Sequence, residues 1–122
     1  PSMRILIPFP TPEAPLMLCV IVASPFAGPN ISIRRRNVEY AKNAMEDSFA
    51  RGEAPLVSHL LYPQVLDDMD EVDRNLAIAA ASAWMVKADL LAVYANLGIS
   101  PGMKAEIELA TLLGVVIDHR SI

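Results

Sequence analysis

A chain of 122 residues has the length of one ordinary domain, enough for one hydrophobic core and one site. With 53% hydrophobic and 20% charged residues it leaves little room for disorder, and a formal net charge of -4 argues against a general nucleic-acid binder, which needs a basic face to displace counterions. Cys19 is the only cysteine, which excludes an intrachain disulfide and a thiolate metal cluster and fits a reducing, cytoplasmic setting.

Pro1 and Ser2 precede Met3 as the remnant of a cleaved tag would. Residues 1–15 form a proline-rich arm with at most an edge strand at 4–7, because proline cannot donate to a ladder. The apolar run 16–23 (LMLCVIVA), preceded by Arg4, has some character of a signal peptide. However, Pro8, Pro10, Pro12, Glu13 and Pro15 interrupt the approach, and the run is far shorter than the roughly 20 residues that span a bilayer, so no membrane segment is expected. Its continuous apolar, β-branched character predicts a first strand covered on both faces.

Ser24, Pro25, Phe26, Ala27, Gly28, Pro29 and Asn30 enforce a loop, and a helix follows over about 32–51. Val38, Ala41, Met45 and Phe49 recur there at helical spacing, and Gly52 supplies the stop. Residues 54–58 (APLVS) predict a second strand and 59–64 a loop. The acids Asp67, Asp68, Asp70, Glu71 and Asp73 open a helix that runs to about Lys87 with Val72, Leu76, Ala79, Ala80 and Ala83 on one side. Residues 88–95 (ADLLAVYA) predict a third strand. Ser100 as N-cap, Pro101 at the first helical position and Gly114 as the stop bound another helix, and 115–118 (VVID) closes the series. Strand and helix alternate throughout, so the expected fold is a single-domain α/β structure with a parallel sheet, a flavodoxin- or Rossmann-like three-layer sandwich.

In such sheets a ligand binds beyond the carboxyl ends of the strands, where the strand order reverses. Three loops qualify: 24–28, 59–64 and 94–102, the last leading into the helix that carries Glu106. Gly28 lets backbone approach a ligand, or simply makes a tight turn. Arg34, Arg35 and Arg36 stand in the first turn of a helix, where the dipole opposes cations. A bound phosphate would compensate, as would solvation with pairing to Glu39 or to an acidic subunit surface. Glu108 has Lys104 one turn away, whereas Glu106 has no cation at that spacing, and an unpartnered carboxylate beside a crevice suits a nucleophile or base as well as it suits an ordinary surface. His59 and His119 are too separated for a zinc site, and the acids of 67–73 read as a solvated helix start rather than a magnesium site. Ser24 and His59 could join an aspartate in a triad, but no GxSxG elbow is present. There is no GxGxxG fingerprint or P-loop, and neither cofactor nor metal is expected.

The loop Ser24-Pro25-Phe26-Ala27-Gly28 and the run Gly102-Met103-Lys104-Ala105-Glu106-Ile107 resemble the nucleoside 2-deoxyribosyltransferase superfamily. The closer likeness is to its small uncharacterised bacterial and phage members, through the segments 37–41 (NVEYA), 59–64 (HLLYPQ), 66–68 (LDD) and 102–110 (GMKAEIELA). The resemblance covers about residues 19–118 and implies a deoxyribosyltransferase-like domain over 16–122 acting on the N-glycosidic bond of a nucleoside or nucleotide. It implies Glu106 as the nucleophile at the anomeric carbon. Ser24, Gly28 and Ser100 would hold the sugar or a 5′-phosphate, Pro25, Phe26, Gly102 and Met103 would also bind substrate, Arg34 would favour a phosphorylated substrate, and His59, Tyr94 and Asn96 would contact the base. Where the family carries an aspartate in the helix before the third strand, this register has Ala81, so that either an acid of 67–73 substitutes or the crevice binds a nucleotide without cleaving it. Homo-oligomers are common in the family, and the alanine-rich helix with Trp84 offers a packing face.

Overall fold

The computed structural model describes residues 17–122. The expected proline-rich arm of residues 1–15, with at most an edge strand at 4–7, lies outside the described residues. In chain order the elements are β1 (Cys19–Ala23), α1 (Ile31–Ala50), β2 (Ala54–Leu56), α2 (Ser58–Leu61), a 3-10 turn (Tyr62–Gln64), α3 (Glu71–Met85), β3 (Leu90–Tyr94), α4 (Pro101–Leu113) and β4 (Val116–Arg120). All four strands are parallel, in the order β2-β1-β3-β4. Ile21 sits beside Leu56 on one side and Leu91 on the other, and Leu91 beside Ile117.

This order sorts the helices. The chain leaves β1 toward β2 and then returns past β1 to β3 and β4, so right-handed crossovers must put α1 on one face and α3 and α4 on the other. Strand alternation supplies each face with its own core. Val20, Val22, Ala92 and Tyr94 meet Tyr40, Ala41 and Ala44 of α1, while Ile21, Ala23, Leu91 and Val93 meet Met85 of α3 and Met103 and Ala110 of α4. The result is the expected three-layer α/β/α sandwich, with its strand reversal between β1 and β3.

The helix ends follow the local sequence. Asn30 caps α1 by accepting from the Ile33 N–H at 2.9 Å, Ser100 caps α4 ahead of Pro101, and Gly114 ends α4 at a φ of 73°, which favours glycine.

Four expectations need correction. The second strand ends at Leu56, and 58–64 coil into α2 and the 3-10 turn instead of forming an open loop. The last strand continues to Arg120, because β3 pairs with it as far as Tyr94 beside Arg120. In α1 the buried line is Asn37, Tyr40, Ala41, Ala44 and Ser48, and Phe49 is exposed. The helix turns two polar groups inward because both find partners there: Asn37 donates to the carbonyls of Phe26 and Ala27, and Ser48 to Glu53. In α3 the stripe Val72, Leu76, Ala79 and Ala83 faces outward, and Met85 alone is buried, because a cavity separates the inner side of this helix from α4.

Candidate functional site

The cavity holds about 510 Å³, the size of a pocket for a small organic ligand. Ser24, Phe26 and Ala27 reach it from the loop after β1, and Ser58, His59 and Tyr62 from the turn after β2. Ala77, Ala81, Ser82 and Met85 form the α3 wall, and Ser100, Gly102, Met103 and Glu106 the α4 wall. It thus opens at the carboxyl edge of the sheet, on the α3/α4 face.

The wall is mostly apolar, which makes its ionisable groups informative. Glu106 stands in the second turn of α4, one helical step beyond the buried Met103, and has no hydrogen-bonding or ionic partner among the described residues. Burial without a counter-charge pushes its carboxyl up to about 7. Across the cavity, His59 is pushed down to about 4 by burial, so its ring is neutral at physiological pH. Its Nε2 lies 2.6 Å from Ser24 Oγ, and the Phe26 ring meets it edge-on at 6.2 Å. Asp68, Asp73 and Arg74 complete the charged lining. The Asp73 carboxylate accepts from the Asp67 N–H at 2.9 Å, and Arg74 reaches toward the Asp68 carbonyl at 3.5 Å.

Two stretches distant in sequence, 24–27 and 100–106, therefore share one pocket. Of the residues singled out from the sequence, Ser24, Phe26, His59, Ser100, Gly102, Met103 and Glu106 line it, while Pro25, Gly28, Arg34, Tyr94 and Asn96 do not. Gly28 is a packing glycine, since a Cβ there would stand 2.6 Å from Ile33 Cγ2. Its carbonyl accepts from Arg34, whose guanidinium is folded back at 3.1 Å, and Arg36 bonds to Asn37. The arginine run thus supplies no cation to the cavity.

Tyr94 points to the opposite face, as does Ala92 two residues before it. Its hydroxyl donates to Asp47 at 2.8 Å and accepts from Arg120 at 3.1 Å, and burial pushes it up to about 12. Asn96 accepts from the Tyr40 hydroxyl and from the Ile122 N–H.

The inner face of α3 also lines the cavity, and no motif in the sequence marks it. Ala77, Ala81 and Met85 recur there every fourth residue, and the small side chains leave the room that the ligand space occupies. Among the described residues no group of three or more His, Cys, Asp or Glu is placed to hold a metal ion, and no helix is long and apolar enough to cross a membrane.

A solved 2-deoxyribosyltransferase from Bacillus psychrosaccharolyticus, studied as a biocatalyst for the synthesis of antiviral and antitumoral nucleosides, is similar in fold. The TM-score is 0.66 at 14% identity, over 84% of this chain and 72% of that one. At that identity the likeness establishes the fold relationship. No curated protein matches the sequence. The model of a family described as a domain of unknown function, DUF7768, matches residues 18–120, so the chain belongs to that family.

Proposed function

We propose that the cavity binds a nucleoside and that Glu106 cleaves its N-glycosidic bond. The observation that carries this reading is a partly buried carboxylate, without a partner among the described residues, on the wall of a ligand-sized apolar cavity that the Ser24–His59 pair also lines. The ionised carboxylate attacks the anomeric carbon as the bond to the base breaks, the departing base takes up a proton from water, and a second base or water, giving up a proton in turn, releases the sugar from the glycosyl-enzyme. Asp73 on α3 and Asp68 just before it line the same cavity as Ala81, the position where the deoxyribosyltransferase resemblance calls for an aspartate. With Arg74 the only cation lining the cavity among the described residues, against these acids, an unphosphorylated nucleoside fits better than its monophosphate.

A second reading, binding without cleavage, is favoured by Ala81 itself. Incubation with deoxynucleosides and their monophosphates, with free base followed by chromatography, separates the two. Base release lost in Glu106→Ala and Glu106→Gln supports the enzyme, whereas ligand-dependent thermal stabilisation without release supports the binding protein. The outward residues of α3, Val72 at 73% exposure, Leu76 at 56% and Trp84 at 52%, make a face for a second copy of the chain. Leu76→Glu is expected to lower the mass measured by light scattering.

A further inference from the structure

The mechanism leaves Ser24 and His59 without a chemical task, yet their geometry is specific. Ser24 is 4% exposed, its hydroxyl lies 2.6 Å from His59 Nε2, and both side chains line the cavity. The other ring nitrogen, Nδ1, has no partner among the described residues, and none of their buried side-chain nitrogens or oxygens is left unpaired, so Nδ1 is not sealed inside the protein. Phe26 against the ring restrains its tilt.

A hydroxyl both donates and accepts, and a neutral imidazole carries its one proton on either nitrogen. If Ser24 donates to Nε2, the proton sits on Nδ1 and the ring offers a donor to the cavity. If the Ser24 hydroxyl rotates and accepts from Nε2–H, Nδ1 becomes an acceptor. No heavy atom moves between the two states.

We infer that Ser24 and His59 form a two-way hydrogen-bond adapter, through which Nδ1 meets either a donor or an acceptor on the edge of a bound base. The pair therefore lets one pocket take 6-amino and 6-oxo purines alike. This rests on the cavity being a nucleobase site. Burial, which keeps the ring neutral, is what holds both states open.

The test is nitrogen NMR of the full chain labelled with ¹⁵N-histidine, in which exposed His119 serves as the reference. In the free protein at pH 7, His59 is expected to be neutral with both tautomers populated, and Ser24→Ala to leave only the tautomer protonated on Nδ1, because a buried Nε2–H without an acceptor is the costlier state. Added adenine and hypoxanthine should draw the wild-type ring to opposite tautomers. Ser24→Ala should shift their relative affinity by about tenfold toward hypoxanthine, the worth of one hydrogen bond.

One fixed tautomer in the free wild type and in both complexes, or a relative affinity unmoved by Ser24→Ala, overturns the adapter. A tautomer mixture that collapses in Ser24→Ala, in a protein that binds neither base, overturns instead the nucleobase reading. The wild-type spectra decide the matter even if the variant does not fold.

Discussion

The two faces of the sheet treat buried charge in opposite ways. On the α1 face every such group is paired: Arg120 donates to both Glu53 oxygens at 2.7 Å, to Asp118 at 2.8 Å and to the Tyr94 hydroxyl, which in turn donates to Asp47. That pairing holds Glu53 below the usual carboxylate range and raises Arg120. On the α3/α4 face Glu106 and His59 are partly buried with no ionic partner among the described residues, and desolvation moves both toward their neutral forms. A paired cluster locks strands and helix together, whereas an unpaired acid keeps its reactivity and costs stability. The contrast, rather than burial as such, separates structural from functional candidates.

Substitutions on the two sides should therefore fail differently. The largest effect is expected from Glu106→Ala, which should lower base release by at least about 10³-fold, as loss of a covalent nucleophile does, with the fold intact by circular dichroism. Arg120→Met should leave Glu53 buried without its counter-charge, held by the Ser48 hydroxyl, and cost about 3–5 kcal/mol in urea unfolding, with activity of the folded fraction retained. An activity loss in Arg120→Met without a stability loss would blur the division.

The pH dependence sharpens it further. Glu106 keeps its proton to about 7 when folded and to 4.5, its ordinary value, when unfolded, so the folded state binds more protons in that interval and stability falls as pH rises through it. His59 acts in the other direction, since its ring charges near 6.5 when unfolded but only near 4 when folded, and stability falls as pH drops through that window. Glu106→Gln should thus be stabilised relative to wild type by roughly 3 kcal/mol more at pH 8 than at pH 4. A difference independent of pH would mean that Glu106 is solvated. The smallest effect belongs to the loop that joins the faces. Gly28→Ala should cost about 1–3 kcal/mol by displacing Ile33, and should change activity less than Glu106→Gln does.

Much of this was legible in the residues. The alternation of apolar runs with capped, amphipathic segments gave the parallel sheet, and Ser100, Pro101 and Gly114 bounded α4 because capping is local chemistry. The meeting of 24–27 with 100–106 followed from the general placement of sites at strand ends. Facing was harder. The resemblance puts Tyr94 and Asn96 at the base, but alternation puts Tyr94 with Ala92, and only the crossover sense tells which face that is. In α1 the apolar period misled because Asn37 and Ser48 are buried with satisfied hydrogen bonds, a long-range fact that no local pattern carries. In α3 the alanines suggested close packing, whereas their inner side lines a cavity.

The most direct measurement is peptide mapping by mass spectrometry after the chain is incubated with a 2′-deoxynucleoside and quenched in acid. A mass gain of one deoxyribosyl group on the peptide containing Glu106, absent in Glu106→Gln, is the predicted result. Base release that continues at the wild-type rate in Glu106→Gln, or an adduct carried by another residue, would contradict it.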